Sequence, residues 1–227
     1  MFQVFRGVRV LIFGLMLGGT FIKGGIDDLR LSRGTSETPV EVGLEQIEAG
    51  TLPANAYWRI GPHVAMTNVG VYQYSHPRNA RTEPTNATQV VHYYYPILST
   101  RHPYLTQVAA RRQASMLAGR GANPALPPLD HFTVLVKTRR FKTVSALPTR
   151  PSDEASIQGM AINRVTRLDD KERRELATLF PHLDVNRLLI FEEGRAPVSA
   201  TGGYSQIAIG ITLCLGGLLW VFFAARR

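Results

Sequence analysis

The apolar residues of this chain fall into two long uncharged runs at its ends and many short, interrupted groups between them. The C-terminal run, Ile207 to Ala225, reads IAIGITLCLGGLLWVFFAA, nineteen residues without a charge. A helix of that length rises about 28 Å, close to the hydrocarbon thickness of a bilayer. Tyr204 stands before it and Trp220 near its far end, where amphipathic rings favour a membrane–water interface, and Arg226 and Arg227 close it. The pattern predicts a transmembrane helix over 207–225. The N-terminal run, Val10 to Ile22, has thirteen residues, bounded by Arg6 and Arg9 before it and Lys23 after it. That length suits the core of a cleaved signal peptide. The small residues Gly18 to Thr20 interrupt the run instead of following it, however. The favoured expectation is an uncleaved signal-anchor over 1–23, extended back through Val8 and Val4 with both arginines snorkelling to the surface. Positive residues flank the outer ends of both runs. The positive-inside rule therefore predicts cytoplasmic termini and a central domain that is periplasmic or otherwise extracytoplasmic.

From Gly24 to about Ala200 the grouping changes character. Leu29-Arg30-Leu31-Ser32 and Thr38-Pro39-Val40-Glu41-Val42 alternate as strands do. Gly43 to Ala49 reads as one short helix ending at Gly50. Ala56–Ile60 and Val64–Tyr74 are strand-like, and Ser75 to Thr88 is a polar loop. Gln89 to Leu98, QVVHYYYPIL, is the strongest strand signal, with Pro96 expected to end its pairing or place it on an edge. Tyr104 to Ala118 has weak helical character, and 119–128 is a loop of Gly, Asn and Pro. HFTVLVKTRRFKTV, 131–144, predicts a strand or strand pair, and Ile157 to Leu168 another strand. Asp169 then stands three residues before Glu172, the spacing of a capping box, at the head of a helix that Pro181 stops. Val185 to Glu192 is the last strand, and 201–206 is expected to be a tether. Six or more short strands with a few short helices predict an α+β or mainly β domain over 24–200: a compact antiparallel sheet or small open barrel.

Composition narrows the chemistry. The net charge is +9, and setting aside the four arginines at the chain ends leaves the middle at +5, too sparse for a nucleic-acid-binding surface. The single cysteine, Cys214, lies in the C-terminal apolar run, so the middle domain holds neither a disulfide nor a thiolate-ligated metal. Of the six histidines, none forms H-E-x-x-H and none lies three or four residues from another. His92, in the aromatic strand, is the best single candidate for a site, though a structural histidine is the commoner outcome. No G-x-S-x-G or S-x-x-K is present, and Gly119-Arg120-Gly121 is a lone G-x-G. No catalytic, cofactor-binding or metal-binding residue is assigned, and no cofactor is expected. Asn86-Ala87-Thr88 matches the glycosylation sequon, a motif short enough to arise by chance.

Two features bear on partners. Gly14 and Gly18 form one small-residue stripe, and Gly210, Cys214 and Gly217 form another; small stripes let membrane helices approach closely. They are expected either to pack on each other or to dock on a larger membrane protein. The basic cluster Lys137, Arg139, Arg140 and Lys142 offers contact to lipid head groups or an acidic partner, or else charge that guards a strand edge. The layout resembles, in topology alone, the two-helix assembly proteins of the surfeit type, in which a β-rich domain lies between terminal membrane helices. The expected function is a membrane-anchored, non-catalytic interaction protein, an accessory or assembly subunit whose partners are lipid and other membrane subunits. The alternatives are a membrane-surface hydrolase or other enzyme with a site near His92, Tyr94 and the 119–128 loop, and a binding module for lipid head groups or cell-wall material.

Overall fold

The computed structural model describes residues 2–75, 84–117, 127–163, 165 and 168–225, with side chains from Arg9 to Phe223 among them. The chain divides into two compact units, Met1–Ser36 with Pro197–Arg227, and Glu37–Ala196.

The first unit is a pair of helices, α1 (Phe2–Ser32) and α5 (Ala200–Ala225). Both contain a stretch long and apolar enough to cross a membrane, Arg9–Ser32 and Ala200–Phe223. The helices are antiparallel: Gly14 lies against Leu213 and Gly217, Gly18 against Gly210 and Cys214, and Gly25 against Gly203 and Ile207. Both helices are longer than the apolar runs that announce them. Leu29–Ser32, whose alternation reads as a strand, is the last turn of α1, and 201–206, expected as a tether, is the first part of α5. The reason is local. Lys23 pairs with Asp27 one turn on at 2.7 Å, so the charges that end the apolar run continue the helix instead of breaking it. Gln206 reaches Asp28 at 3.4 Å, and the Ser32 hydroxyl accepts from Val198 N at 2.9 Å, which ties the polar ends of the pair together.

The second unit is a curled, mixed sheet in the form of a half-barrel. Its strands are β1 (Val40–Val42), β2 (Tyr57–Ile60), β3 (His63–Ala65), β4 (Val71–Tyr74), β5 (Val90–Ser99), β6 (Val134–Thr138), β7 (Ser152–Glu154), β8 (Ile157–Ala161) and β9 (Leu189–Glu193). Their order is β1-β2-β8-β9-β6-β5-β3-β7, with β4 also on β5. The sheet departs from the expected antiparallel one, because β1–β2 and β6–β9 are parallel. Parallel neighbours need a crossover, and the chain supplies one in each case: α2 (Leu44–Glu48) lies between β1 and β2, and β7, β8 and α4 (Asp170–Leu179) lie between β6 and β9. The expected strand over Val64–Tyr74 is two strands, and the one over 131–144 shrinks to β6 followed by irregular chain and a 3₁₀ turn at Val144–Ala146.

Alternation in these strands gives the sheet two buried layers. The concave face carries Trp58, Ile60, Tyr93, Tyr95, Ile97, Val134, Val136 and Phe191, and α2 closes on it with Leu44 and Ile47. Trp58 and Phe191 stack with centroids 6.3 Å apart. The opposite face carries Leu135, Met160 and Ile190, all buried. The helix α4 lies near β4, with Lys171 Nζ 5.1 Å from the Tyr74 ring. Asp169 and Glu172 form the capping box, the Asp169 carboxylate accepting from Glu172 N at 2.7 Å and Glu172 from Asp169 N at 2.9 Å. Pro96 sits inside β5, opposite Leu135 of β6, instead of at an edge. Its carbonyl accepts from Met66 N at 2.9 Å, so its missing N–H faces the same side, where β5 passes from β4 at Tyr94 to β3 at Ile97. At that handover no ladder donor is needed, and proline is tolerated in a central strand.

Candidate functional site

The helix pair brings together all five small residues singled out from its sequence. A Cβ placed on Gly18 would lie 2.5 Å from Cys214 Sγ and 2.6 Å from Gly210 O, and one on Gly210 would meet Gly18 O at 2.6 Å. At Gly14 the nearest atoms are Leu213 O at 3.1 Å and Gly217 Cα at 3.5 Å. The two stripes therefore face each other, and beside the Cys214 sulfur each meets backbone atoms, which cannot rotate aside. Van der Waals contact at backbone distance is what holds helices together where the surroundings are as apolar as the side chains. Gly25 and Gly203 belong to the same seam and were not singled out. A Cβ on Gly25 would lie 2.7 Å from Gly203 O, and one on Gly203 would lie 2.6 Å from Leu29 Cγ. The signal was the spacing of seven residues: Gly18 and Gly25 on one helix, Gly203, Gly210 and Gly217 on the other, near two full turns of 3.6 residues.

The basic cluster is divided between the two faces of the sheet. Lys137 faces outward beside Tyr94 and Glu192, its register partners on β5 and β9. Its Nζ lies 6.0 Å from the Tyr94 ring, and burial pulls its pKa down while Glu192 pulls it up. Arg139 donates through Nε to His92 Nε2 at 3.0 Å and stands 3.9 Å from Glu192. Arg140 turns to the other side, 3.6 Å from Glu154 and 3.8 Å from Glu193, with its guanidinium 4.9 Å from the Phe141 ring centroid. Lys142 contributes its backbone carbonyl to Val90 N. Arg139 and Arg140 thus tie the chain after β6 to β9 and β7 through Glu192, Glu193 and Glu154.

His92 is occupied at both ring nitrogens. Nδ1 is 3.0 Å from Gln73 Oε1, and an amide oxygen can only accept, so the proton sits on Nδ1; Nε2 then accepts from Arg139. Burial, with Lys137 and Arg139 nearby, lowers its pKa to about 4. The neutral imidazole links Gln73 of β4 and Arg139 to β5. Its neighbour Tyr94 has its pKa raised by burial and by Glu172, to which its hydroxyl is hydrogen-bonded. The 119–128 loop that completed the enzyme reading lies outside the described residues except for Leu126's successors at 127–128.

The two ends of the half-barrel differ. Where β2, β6 and β9 begin, a hollow of about 430 Å³ opens, walled by Ile47, Leu52, Trp58, Ala161 and Leu189. Asn163 on its rim is held by both ends of its amide, donating to Leu188 O and accepting from Ile190 N at 2.7 Å each. Where the same strands end, the groups are polar. Arg140 bridges Glu154 and Glu193, and His63 lies opposite Glu154 on β7. His63 Nδ1 is 2.9 Å from Gly61 O, and burial lowers its pKa. Among the described residues its Nε2 and the Glu193 Oε2 are buried with no hydrogen-bond partner. Tyr95, close to these charges, has its pKa raised by burial. No group of three or more His, Cys, Asp or Glu side chains among the described residues is placed to hold a metal ion. Compared with protein-family models, curated proteins and solved structures, the chain matches none.

Proposed function

We propose that this chain is a membrane-anchored, non-catalytic interaction protein: an accessory or assembly subunit whose half-barrel is displayed on one side of a bilayer by a helical hairpin. The observation that carries the reading is the surface left on the helix pair once its glycine seam is filled. Phe13, Met16, Ile209, Leu218, Trp220 and Phe223 all remain exposed. A continuous apolar exterior on both helices is the surface lipid accepts and water does not. In an antiparallel pair the first residues of α1 and the last of α5 share one end, and the sequence puts Arg6, Arg9, Arg226 and Arg227 around those positions. Under the positive-inside rule that end is cytoplasmic and residues 37–196 lie across the membrane.

The glycine stripes are used within the chain, so a partner is met elsewhere: by the half-barrel, or by the outer faces of the helices. Engagement of both His92 nitrogens by Gln73 and Arg139 supports a structural role for that ring over a catalytic one.

The test is topological. Alkaline carbonate washing should leave the protein in the pellet, and protease added from the cytoplasmic side of sealed vesicles should spare residues 37–196. Extraction by carbonate overturns the anchor, and digestion of the domain overturns the orientation. Gentle detergent solubilisation with mass measurement tests the subunit reading: a bare monomer counts against it.

A further inference from the structure

We infer that the half-barrel binds a single-chain amphiphile with an anionic head, its tail in the apolar hollow beside Trp58 and its head at Arg173. The inference concerns residues 37–196 alone and does not depend on where the helix pair lies.

Two hollows adjoin at the end of the sheet where β9 begins. The first, of about 430 Å³, is walled by Ile47, Trp58, Leu188 and Leu189, all buried, and by Leu52, which is 54% exposed and marks its mouth. Its one charged lining residue, Arg187, is paired with Asp184 at 3.2 Å. A hollow of this size lies within the range of small-molecule sites, about 300–1,000 Å³, and apolar walls give water in it few partners. The second hollow, of about 450 Å³, lies between α4, the 3₁₀ turn Val185–Arg187 and β9, and Arg173 and Asn186 are among its walls. Asn163, Asn186 and Leu188 line both.

Arg173 is not committed to the fold. Its guanidinium reaches the Leu168 carbonyl at 3.4 Å, longer than an ordinary N–H···O bond, and makes no other hydrogen bond or ion pair among the described residues. Arg59, Arg139, Arg140, Arg187 and Arg195, by contrast, each stand within 4 Å of a carboxylate. The acids beside Arg173 are engaged elsewhere: Asp169 and Glu172 cap α4 reciprocally, and Asp184 holds Arg187 and the Asn186 N–H. The Asn186 side-chain amide makes no hydrogen bond among the described residues. A guanidinium is a planar fork of five donors that matches a carboxylate or a phosphate.

The pairing of the hollows selects the ligand. A neutral apolar molecule would fill the first and leave Arg173 unused. A small free anion would meet Arg173 and leave the apolar walls wet. A molecule with an acyl chain and an anionic head satisfies both.

Tryptophan quenching on the full-length protein tests this. The chain has two tryptophans, so Trp220→Phe leaves Trp58, on the wall of the apolar hollow, as the only reporter. The protein is held in phosphatidylcholine nanodiscs at alkaline pH, or in buffer if it does not enter them. There ω-bromododecanoate should quench Trp58 saturably. Unbrominated dodecanoate and dodecyl phosphate should reverse the quenching, and the stronger of the two names the native head group. Each methylene removed from the competing acid should weaken it by up to about fourfold. ω-Bromododecanol has the same chain without the charge and should need about tenfold more, the loss of a hydrogen bond to a charged group. Arg173→Gln should weaken the acid by the same factor and leave the alcohol unchanged, and Arg173→Lys should recover part of the loss. An unchanged Trp58 emission maximum shows that these variants are folded. Arg112→Gln is the charge control: it is an exposed arginine of α3 (Pro103–Leu117) that lines neither hollow, and it should change nothing. Absence of saturable quenching overturns the inference, and so does quenching that excess dodecanoate does not reverse. Equal strength of acid and alcohol, or equal effects of Arg173→Gln and Arg112→Gln, removes the head-group site and also overturns it.

Discussion

At Gly18 and Cys214 two helix backbones touch; at Trp58 and Phe191 two large rings stack across β8, the strand between β2 and β9. The first contact is made by leaving side chains out, the second by putting the largest ones in. Outside the contacts the contrast reverses. The helix pair turns Phe13, Met16 and Phe223 outward, whereas the sheet's charged residues, such as Arg59 and Glu41, sit at its surface and pair at 3.0 Å. Under the membrane-anchored reading proposed above, the difference reflects the solvent each unit meets. In water the gain comes from removing apolar area, so large residues go inside. In lipid that gain is absent, and close van der Waals contact between small residues takes its place.

The comparison breaks or sharpens under substitution. Trp58→Ala should have the largest effect, about 3–5 kcal/mol off the unfolding of the half-barrel, followed by circular dichroism in denaturant on the full-length protein. The helix pair should keep its detergent stability in that variant. Next comes Gly18→Leu. Its Cβ would sit 2.6 Å from a backbone oxygen, and overpacking of this kind costs about 1–3 kcal/mol, read as a lower helix-pair melting temperature in detergent. Gly19, with nothing within 4 Å of a Cβ, is the control, and Gly19→Leu should change stability by less than about 0.5 kcal/mol. If the two variants behave alike, the seam is not what holds the pair.

The smallest effect concerns acid. The folded-state pKa of His92 is about 4, below its ordinary 6.5, so between those values the unfolded chain binds a proton that the folded chain does not. Stability should therefore fall as pH drops from about 6.5 towards 4 and be unaffected by this group above that window. His63 and His102, lowered by burial, act in the same direction. His92→Gln should flatten the acid slope by a fraction of the about 1.4 kcal/mol per pH unit that one whole proton gives, since the ring is partly solvated. An unchanged slope would show that His92 is charged in the folded state.

Much of this was legible where physics is local. The nineteen-residue apolar run, the capping box at Asp169 and Glu172, the Gly50 turn with its φ of +82° and the aromatic strand β5 all follow from residues within one or two turns of each other. The parallel pairing of β6 with β9 was not, because it joins residues more than fifty positions apart and depends on how a crossover closes. Pro96 misled for the same reason: whether a strand needs an N–H at one position is fixed by which neighbours flank it there. At the seam, the five small residues were visible as stripes, but their choice between each other and an outside partner was a question of tertiary structure. The splitting of Arg139 from Arg140 follows from alternation; the glutamates that receive them come from β7 and β9, which no local pattern links to β6.

The glycine seam joins residues about two hundred positions apart, Gly14 to Gly217. A ribosome working at typical speed needs roughly 10–40 s to cover that distance. On the membrane-anchored reading proposed above, the narrow face of the first helix waits in the bilayer throughout that interval, before its neighbour has been made. The nascent molecule is then open to pairing with another unfinished copy, or to shielding by an insertion factor, and this exposure ends only when the final helix arrives.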